Sequence, residues 1–268
     1  MRKKWQYYQN ENTKEADKLQ EKLGLNKLIS TILANRGITI DNVDVFLNPN
    51  RHDFHNPFDI PDMEKAVNRL LIAIEKNEKV IIFGDYDVDG ITSTTVLKSF
   101  LQDRGLYAGV YIPNRLKEGY GLNEEAIKKI AKEGYTLMVT VDCGITAVKE
   151  VELAKKLGIE TIITDHHEPA EELPDAISVV DCKRKDNKYP FRELAGVGVA
   201  FKLTQAISKR LNLDEKEYLK YLDIVSIGTI SDIVPLVDEN RVITKLGLKL
   251  VGCTKNVGLK AILNEIRV

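Results

Sequence analysis

The chain has 268 residues, 43% hydrophobic and 29% charged, a composition close to the globular average that excludes collagen-like or disordered character. Its 39 Lys and Arg stand against 40 Asp and Glu, so no basic excess advertises a polyanionic partner, and any phosphate chemistry has to be local and assisted by metal ions. No run of about 18 apolar residues occurs, no apolar stretch follows the basic start, and three widely spaced cysteines offer neither a disulfide framework nor a CxxC zinc site; these features predict a reduced, cytoplasmic protein with no membrane contact.

Residues 1–60 read as helical pieces joined by loops, closing in a turn-rich stretch around Pro49, Pro57 and Pro61. Met63, Ala66, Val67, Leu70, Leu71 and Ile74 then recur at helical spacing, one face of an amphipathic helix that ends near Asn77. From residue 80 the pattern changes to short apolar runs, at 80–83, 108–112, 137–141 and 161–164, with helices between them at 91–101, after the cap Asn123, and at 147–157. Strands apolar on every residue are buried on both faces, which predicts an α/β domain with a doubly wound parallel sheet. Helices follow at 194–211, 217–230 and 241–250. The expected division is an N-terminal helical extension over 1–78, a catalytic domain over 79–235 and a C-terminal helical segment over 236–268.

Chemistry concentrates where strands end. Asp85, Asp87 and Asp89 alternate in the turn after the first strand, and three carboxylates this close repel one another unless a cation is present. They match the opening positions of a calcium-binding loop, but that loop's twelfth position is Val96, where a bidentate Glu is required. Asp85 and Asp87 also fit the nucleophile and acid of a haloacid dehalogenase-type phosphotransferase, whose later paired-acid motif is missing. Asp142 follows the strand at 137–141, Asp165, His166 and His167 follow the strand at 161–164, and Asp232 ends an apolar helix. Taken singly each is a cap or a turn residue. In an open α/β sheet, however, the carboxyl ends of the strands share one edge, so these acids and imidazoles can converge there. Carboxylate and imidazole donors without thiolate favour Mn²⁺ or Mg²⁺, and two such ions suit hydrolysis of a phosphoester or phosphoanhydride.

The segments DYDVDGITST, VDCGI, TDHH and GTISDIVPL resemble the four motifs of the DHH phosphoesterase superfamily. LANRGI, PNRLKEGYGL and LAGVGVAFKL are further similar to its RecJ-type single-strand exonucleases. The resemblance implies two Mn²⁺ or Mg²⁺ ions on Asp87, Asp89, Asp142, His166 and Asp232, with Asp142 as the bridge. It also implies His167 on the scissile phosphate, Asp165 orienting a histidine, and Arg115 and Tyr120 holding the nucleotide strand. Many members carry a histidine where this chain has Phe83, and Asp85 is expected to fill that vacancy directly or through water. The implied activity is release of nucleotides from the 5′ end of single-stranded DNA in repair and recombination, by a monomer working with a helicase and a single-strand-binding protein. A second catalytic domain and an oligonucleotide-binding domain are expected beyond residue 268. Rival readings are a phosphodiesterase for short oligoribonucleotides or cyclic dinucleotides, a manganese pyrophosphatase, and an inactive DHH scaffold in a replication or repair assembly.

Overall fold

The apolar runs read from the sequence become strands of one parallel sheet, and the edge where those strands end carries the candidate site. The computed structural model describes residue 4 and residues 12–266, so the helical expectation for residues 1–3 and 5–11 falls outside the described residues. The chain divides into two units, Met1–Asp53 and Phe54–Val268.

The first unit contains the helices α1 (Thr13–Leu23), α2 (Lys27–Asn35) and α3 (Val43–Leu47). Gly24 closes α1 at φ 62°, a left-handed conformation that a side chain would strain. Asn26 opens α2, its side-chain oxygen accepting the amides of Leu28 at 2.8 Å and Ile29 at 3.2 Å. Leu19, Leu33, Ala34 and Val43 bury into a small core of their own.

The second unit runs α4 (Met63–Lys76), β1 (Val80–Gly84), α5 (Val88–Gln102), β2 (Gly109–Tyr111), α6 (Glu124–Lys132), β3 (Leu137–Val141), α7 (Val148–Lys156), β4 (Glu160–Thr164) and β5 (Ser178–Val180). It continues through α8 (Gly196–Arg210), α9 (Lys216–Leu219), α10 (Leu222–Ser231), α11 (Asp238–Val251) and α12 (Val257–Glu265). The strands lie in the order β2-β1-β3-β4-β5 with every pair parallel. The two-residue period of a strand sends Val80, Ile82, Leu137 and Val139 into one core and Ile81, Phe83 and Met138 into the other. Val67, Phe100, Phe201 and Val225 from α4, α5, α8 and α10 close the first core, and Ile127 and Val151 from α6 and α7 close the second. This is the doubly wound α/β arrangement expected from the sequence. Because β2 flanks β1 on one side and β3 on the other, successive connections leave in opposite directions and a crevice opens at the carboxyl ends of β1 and β3.

Several elements differ from the expectation. β5 was not anticipated: only three residues long, it joins the sheet because Val180 is buried in the same core as Ile162. α5 starts at Val88 rather than Ile91, so Asp89 lies on its first turn and Asp87 is its cap, an arrangement incompatible with a calcium-binding loop. The helix expected over 217–230 is two helices, α9 and α10. At their junction the Tyr221 amide bonds to the Tyr218 carbonyl in a tighter turn, while Lys220 and the Tyr221 hydroxyl both reach Asp103, each at 2.7 Å.

One ion pair lies wholly inside this unit. Lys202 of α8 and Glu239 of α11, both 0% exposed, meet at 2.8 Å. The Lys202 ammonium also donates to the carbonyl of His55 at 2.8 Å, and Glu239 accepts the His55 amide at 2.9 Å and the Tyr189 hydroxyl. Among the described residues no helix is long and apolar enough to cross a membrane.

Candidate metal centre

The site begins with a close crossing of backbone. A methyl group on Gly90 would lie 2.4 Å from the Asp85 carbonyl oxygen, so only glycine lets the first turn of α5 pass over the chain leaving β1. Asp85 is thereby buried at 2% exposure, and its Oδ1 has no hydrogen-bond partner. Burial, with the charge of Asp87 adding to it, pushes the Asp85 carboxyl above its ordinary range, although the Tyr86 amide opposes the shift. Asp87 stays exposed and caps α5, its Oδ1 accepting the Gly90 amide at 2.9 Å.

Asp89 is seated on the N terminus of α8. Its Oδ2 accepts the Gly196 amide at 2.7 Å and its Oδ1 the Val197 amide at 2.9 Å. Burial and the charge of Asp142 nevertheless raise the Asp89 carboxyl well above the usual carboxylate range.

Asp142 leaves β3 at φ 60°, a conformation that aspartate tolerates better than most side chains. Its amide bonds to the Thr164 carbonyl at 3.0 Å, which fixes the residue between β3 and β4. Its Oδ1 stands 3.1 Å from His166 Nε2, yet without the alignment of a hydrogen bond, so this buried oxygen has no donor. Burial first, and neighbouring Asp87 and Asp165, push the Asp142 carboxyl up to about 9.

His166 sits at the centre of the cluster, with Nε2 3.8 Å from Asp89 Oδ2 and Nδ1 3.7 Å from Asp232 Oδ2. Asp232 comes from the end of α10, where its amide bonds to the Gly228 carbonyl at 2.9 Å, and burial raises its carboxyl despite the opposing charge of His166. Asp165 is buried beneath the two histidines. Its Oδ1 accepts the amide of His166 at 2.7 Å and lies 2.7 Å from His167 Nδ1, while its Oδ2 accepts the Ile145 amide at 2.9 Å. Burial works against its charge, but these donors hold the Asp165 carboxyl below its ordinary range. His167 is half exposed, and the bond to Asp165 raises its imidazole to about 9.

Tyr120 donates its hydroxyl to the Asp142 carbonyl at 3.3 Å and packs edge-on to the His167 ring at 5.9 Å. Arg115 is exposed in the same loop, with its guanidinium 5.2 Å from the centre of the Tyr86 ring and its charge felt by Asp85.

Oxygen and nitrogen atoms of Asp85, Asp87 and Asp142, of Asp89, His166 and Asp232, and of Asp142, His166 and His167 each gather within 4.8 Å of one another. Asp142 and His166 each belong to two of these groups. The residues singled out in the sequence are thus brought together, with Arg115 at the edge. One neighbour escaped notice there. Asp181 follows β5, and it was hidden because that strand was not anticipated. Lys183, Arg184, Lys185 and Lys188 form a basic cluster in the sequence that reads as a solvated loop; Lys185 and Lys188 are exposed accordingly, whereas Lys183 is partly buried and Arg184 turns inward to Asp62 and Asp186.

Compared with known proteins, residues 79–229 match the DHH family, N-terminal domain. The chain belongs to the DHH family. It is 47% identical over 246 residues to the single-stranded-DNA-specific exonuclease RecJ of Bacillus subtilis (strain 168), covering 91% of this chain and 30% of that protein. The RecJ of Escherichia coli (strain K12) is 38% identical over 75% of this chain and 37% of its own length. The chain therefore spans about a third of these curated relatives. Among solved structures, an exonuclease RecJ bound to manganese matches this DHH chain with a TM-score of 0.71 at 35% identity, over 77% of this chain and 52% of the other. RecJ from Thermus thermophilus in complex with Mn²⁺ gives 0.79 at 28%, over 94% and 35%.

Proposed function

We propose that this DHH chain carries the metal-dependent active site of an exonuclease that hydrolyses phosphodiester bonds of single-stranded DNA from the 5′ end. The observation that carries the reading is the convergence of Asp85, Asp87, Asp89, Asp142, Asp232 and His166 at the crevice between β1 and β3, with buried carboxylate oxygens of Asp85 and Asp142 left without hydrogen-bond donors. Buried acids raised this far above their ordinary range are unstable as anions unless a cation joins them, and mixed oxygen and imidazole donors suit Mn²⁺ or Mg²⁺. The residues therefore fit the group. Asp87, Asp89, Asp142, His166 and Asp232 would hold two ions, with Asp142 shared between them and Asp85 supporting the Asp87 side. Two divalent cations in such a site supply charge neutralisation for phosphate and acidify water.

The chain's own residues do the rest. Asp165 holds His167 in its charged form, so an imidazolium faces the crevice where phosphate charge develops. Tyr120 offers a ring to a base or sugar, and Arg115 offers a planar fork to a phosphate. Residues 79–235 form the catalytic domain in this reading, in line with the family match over 79–229. A cytoplasmic monomer acting in repair and recombination, with a helicase and a single-strand-binding protein as partners, completes the proposal. Support for the single-stranded DNA substrate comes from the names of the relatives.

The test is Mn²⁺-dependent release of mononucleotides from a 5′-labelled single-stranded oligonucleotide, with Asp232→Ala as control. Release by the wild-type chain and none by the variant is expected. Equal release by both would overturn the site, and hydrolysis confined to dinucleotides or pyrophosphate would replace the substrate.

A further inference from the structure

Lys183 is an unusual lysine. It lies just after β5, at the edge of the sheet where the acids gather, and its side chain is only 19% exposed, well covered for a lysine. Its backbone is held from both sides. The Lys183 amide donates to Asp181 Oδ1 at 2.6 Å, and Arg192 donates to the Lys183 carbonyl at 2.9 Å. Asp181 is itself 0% exposed, so this anchor is rigid.

A lysine held this close to the protein normally finds a carboxylate. Among the described residues the acid within ion-pair distance of Lys183 is Glu168, at 3.9 Å and beyond hydrogen-bond length, and that side chain is 78% exposed. The three ammonium donors are thus left without a close acceptor, while their charge reaches Asp232 and Asp181. Arg184, the next residue, is consumed by Asp62 and Asp186 and cannot serve the crevice. Lys183 follows β5 at one end of the sheet edge and its charge acts on Asp232, whereas Arg115 follows β2 at the other end and acts on Asp85.

A site built from acids needs fixed cations around it to accept a polyanion. We propose that Lys183 is a further phosphate-binding residue, gripping a non-bridging oxygen of the single-stranded backbone on the Asp232 side of the crevice. The inference rests on the nuclease reading above and deepens it. An ammonium suits this place because, as a compact point charge on a flexible stem, it follows a phosphate through different backbone conformations without demanding one sequence.

The experiment measures binding of the 268-residue chain to a fluorescent single-stranded oligonucleotide with hydrolysis-resistant phosphorothioate linkages, in Mn²⁺ and over a range of salt. Mn²⁺ binding is measured separately by calorimetry. Lys183→Ala is expected to weaken oligonucleotide binding about tenfold and to flatten the log–log salt dependence by about 0.7, the contribution of one phosphate contact on a single strand. Lys183→Arg should recover most of the affinity, and Mn²⁺ binding should stay within about twofold in both variants, since the lysine touches substrate rather than the ions. Unchanged affinity and salt slope in Lys183→Ala would overturn the inference, as would a loss of Mn²⁺ binding equal to the loss of oligonucleotide binding. A wild-type chain that binds the oligonucleotide but never cleaves its unmodified form would sink the nuclease reading and leave the Lys183 result standing. A wild-type chain that does not bind it at all would sink both.

Discussion

Asp165 Oδ1 stands 2.7 Å from His167 Nδ1, and each residue shifts the other: the imidazole rises to about 9 while the carboxyl falls below its ordinary range against the cost of burial. The pair keeps His167 cationic at neutral pH and fixes its orientation toward the crevice. Asp165→Asn leaves the shape but removes the charge. The His167 titration followed by NMR should then drop from about 9 toward its ordinary 6.5. Turnover of an oligonucleotide should fall about 10- to 100-fold, as is usual when a ligand-orienting carboxylate is lost. A His167 titration unmoved by the substitution would refute the coupling.

The raised carboxyls make metal binding a proton exchange. Asp142 titrates at about 9 without an ion, so at neutral pH it is protonated and an incoming cation must displace that proton. Affinity for Mn²⁺ should therefore climb with pH until about 9, by about tenfold per unit for each proton displaced. The metal-free protein behaves oppositely. A carboxyl raised from 3.8 contributes stability that is complete below that value and is lost as pH rises through 9, so the melting temperature in chelator should decline across that window and recover on adding Mn²⁺. Calorimetry in two buffers of different ionisation enthalpy counts the released protons; zero release at pH 7 would exclude the mechanism.

Much of this centre was legible in the sequence for a physical reason. Acids placed at the ends of fully apolar runs meet once those runs lie parallel in one sheet, so the convergence of Asp142 with the Asp165–His167 stretch could be expected from pattern, while their roles came from the resemblance. The start of α5 was misread because Val88 and Gly90 look like loop residues until Asp87 caps the helix, and that error placed Asp89 in a turn instead of on a helix. β5 carries too little pattern in three residues to be recognised, and Asp181 disappeared with it, while Lys183 was seen only as part of a basic loop. The anchoring of Asp89 on α8 was equally invisible, since it pairs residues 107 positions apart.

Gly196 offers a sharp test of that anchoring. A methyl group there would lie 2.5 Å from Asp142 Oδ1 and 2.7 Å from its Cβ. Gly196→Ala must therefore push Asp142 or the start of α8 aside, and overpacking of this kind costs about 1–3 kcal/mol. Because the same amide holds Asp89, Mn²⁺ affinity should fall more than the melting temperature suggests. Gly252→Ala is the control, with nothing nearer than 3.9 Å to a methyl at that position. Equal metal affinity in both variants would show that α8 does not set the positions of the acids.

The buried pair of Lys202 and Glu239 makes a prediction about stability alone, because neither residue belongs to the metal cluster. Lys202→Met leaves Glu239 as an uncompensated carboxylate at 0% exposure and frees the His55 carbonyl. Loss of one partner of such a pair costs about 3–5 kcal/mol, and chemical denaturation should report a drop of that size. Adding Glu239→Gln to the same chain removes the stranded charge and should return part of the loss. A double variant no more stable than Lys202→Met would mean that the hydrogen bonds to His55 and Tyr189, rather than the charge, dominate.

Asp181, which accepts the Lys183 backbone amide, makes the stability of this corner of the fold depend on pH. Burial raises its carboxyl to about 7, and its Oδ2 has no hydrogen-bond partner, so the neutral acid is the form the fold prefers. Unfolded, the same carboxyl titrates at 3.8. Its contribution to stability is therefore complete below that value and is lost as pH rises through about 7, at no more than about 1.4 kcal/mol per unit for one proton. Asp181→Asn mimics the neutral acid and keeps the oxygen that accepts the Lys183 amide, but it does not titrate. Relative to wild type, the variant should gain stability steadily between pH 4 and 7 and hold that gain above, as read from denaturation midpoints in chelator. If the difference between the two proteins stays flat across that range, Asp181 is ionised in the folded chain and burial does not hold it neutral.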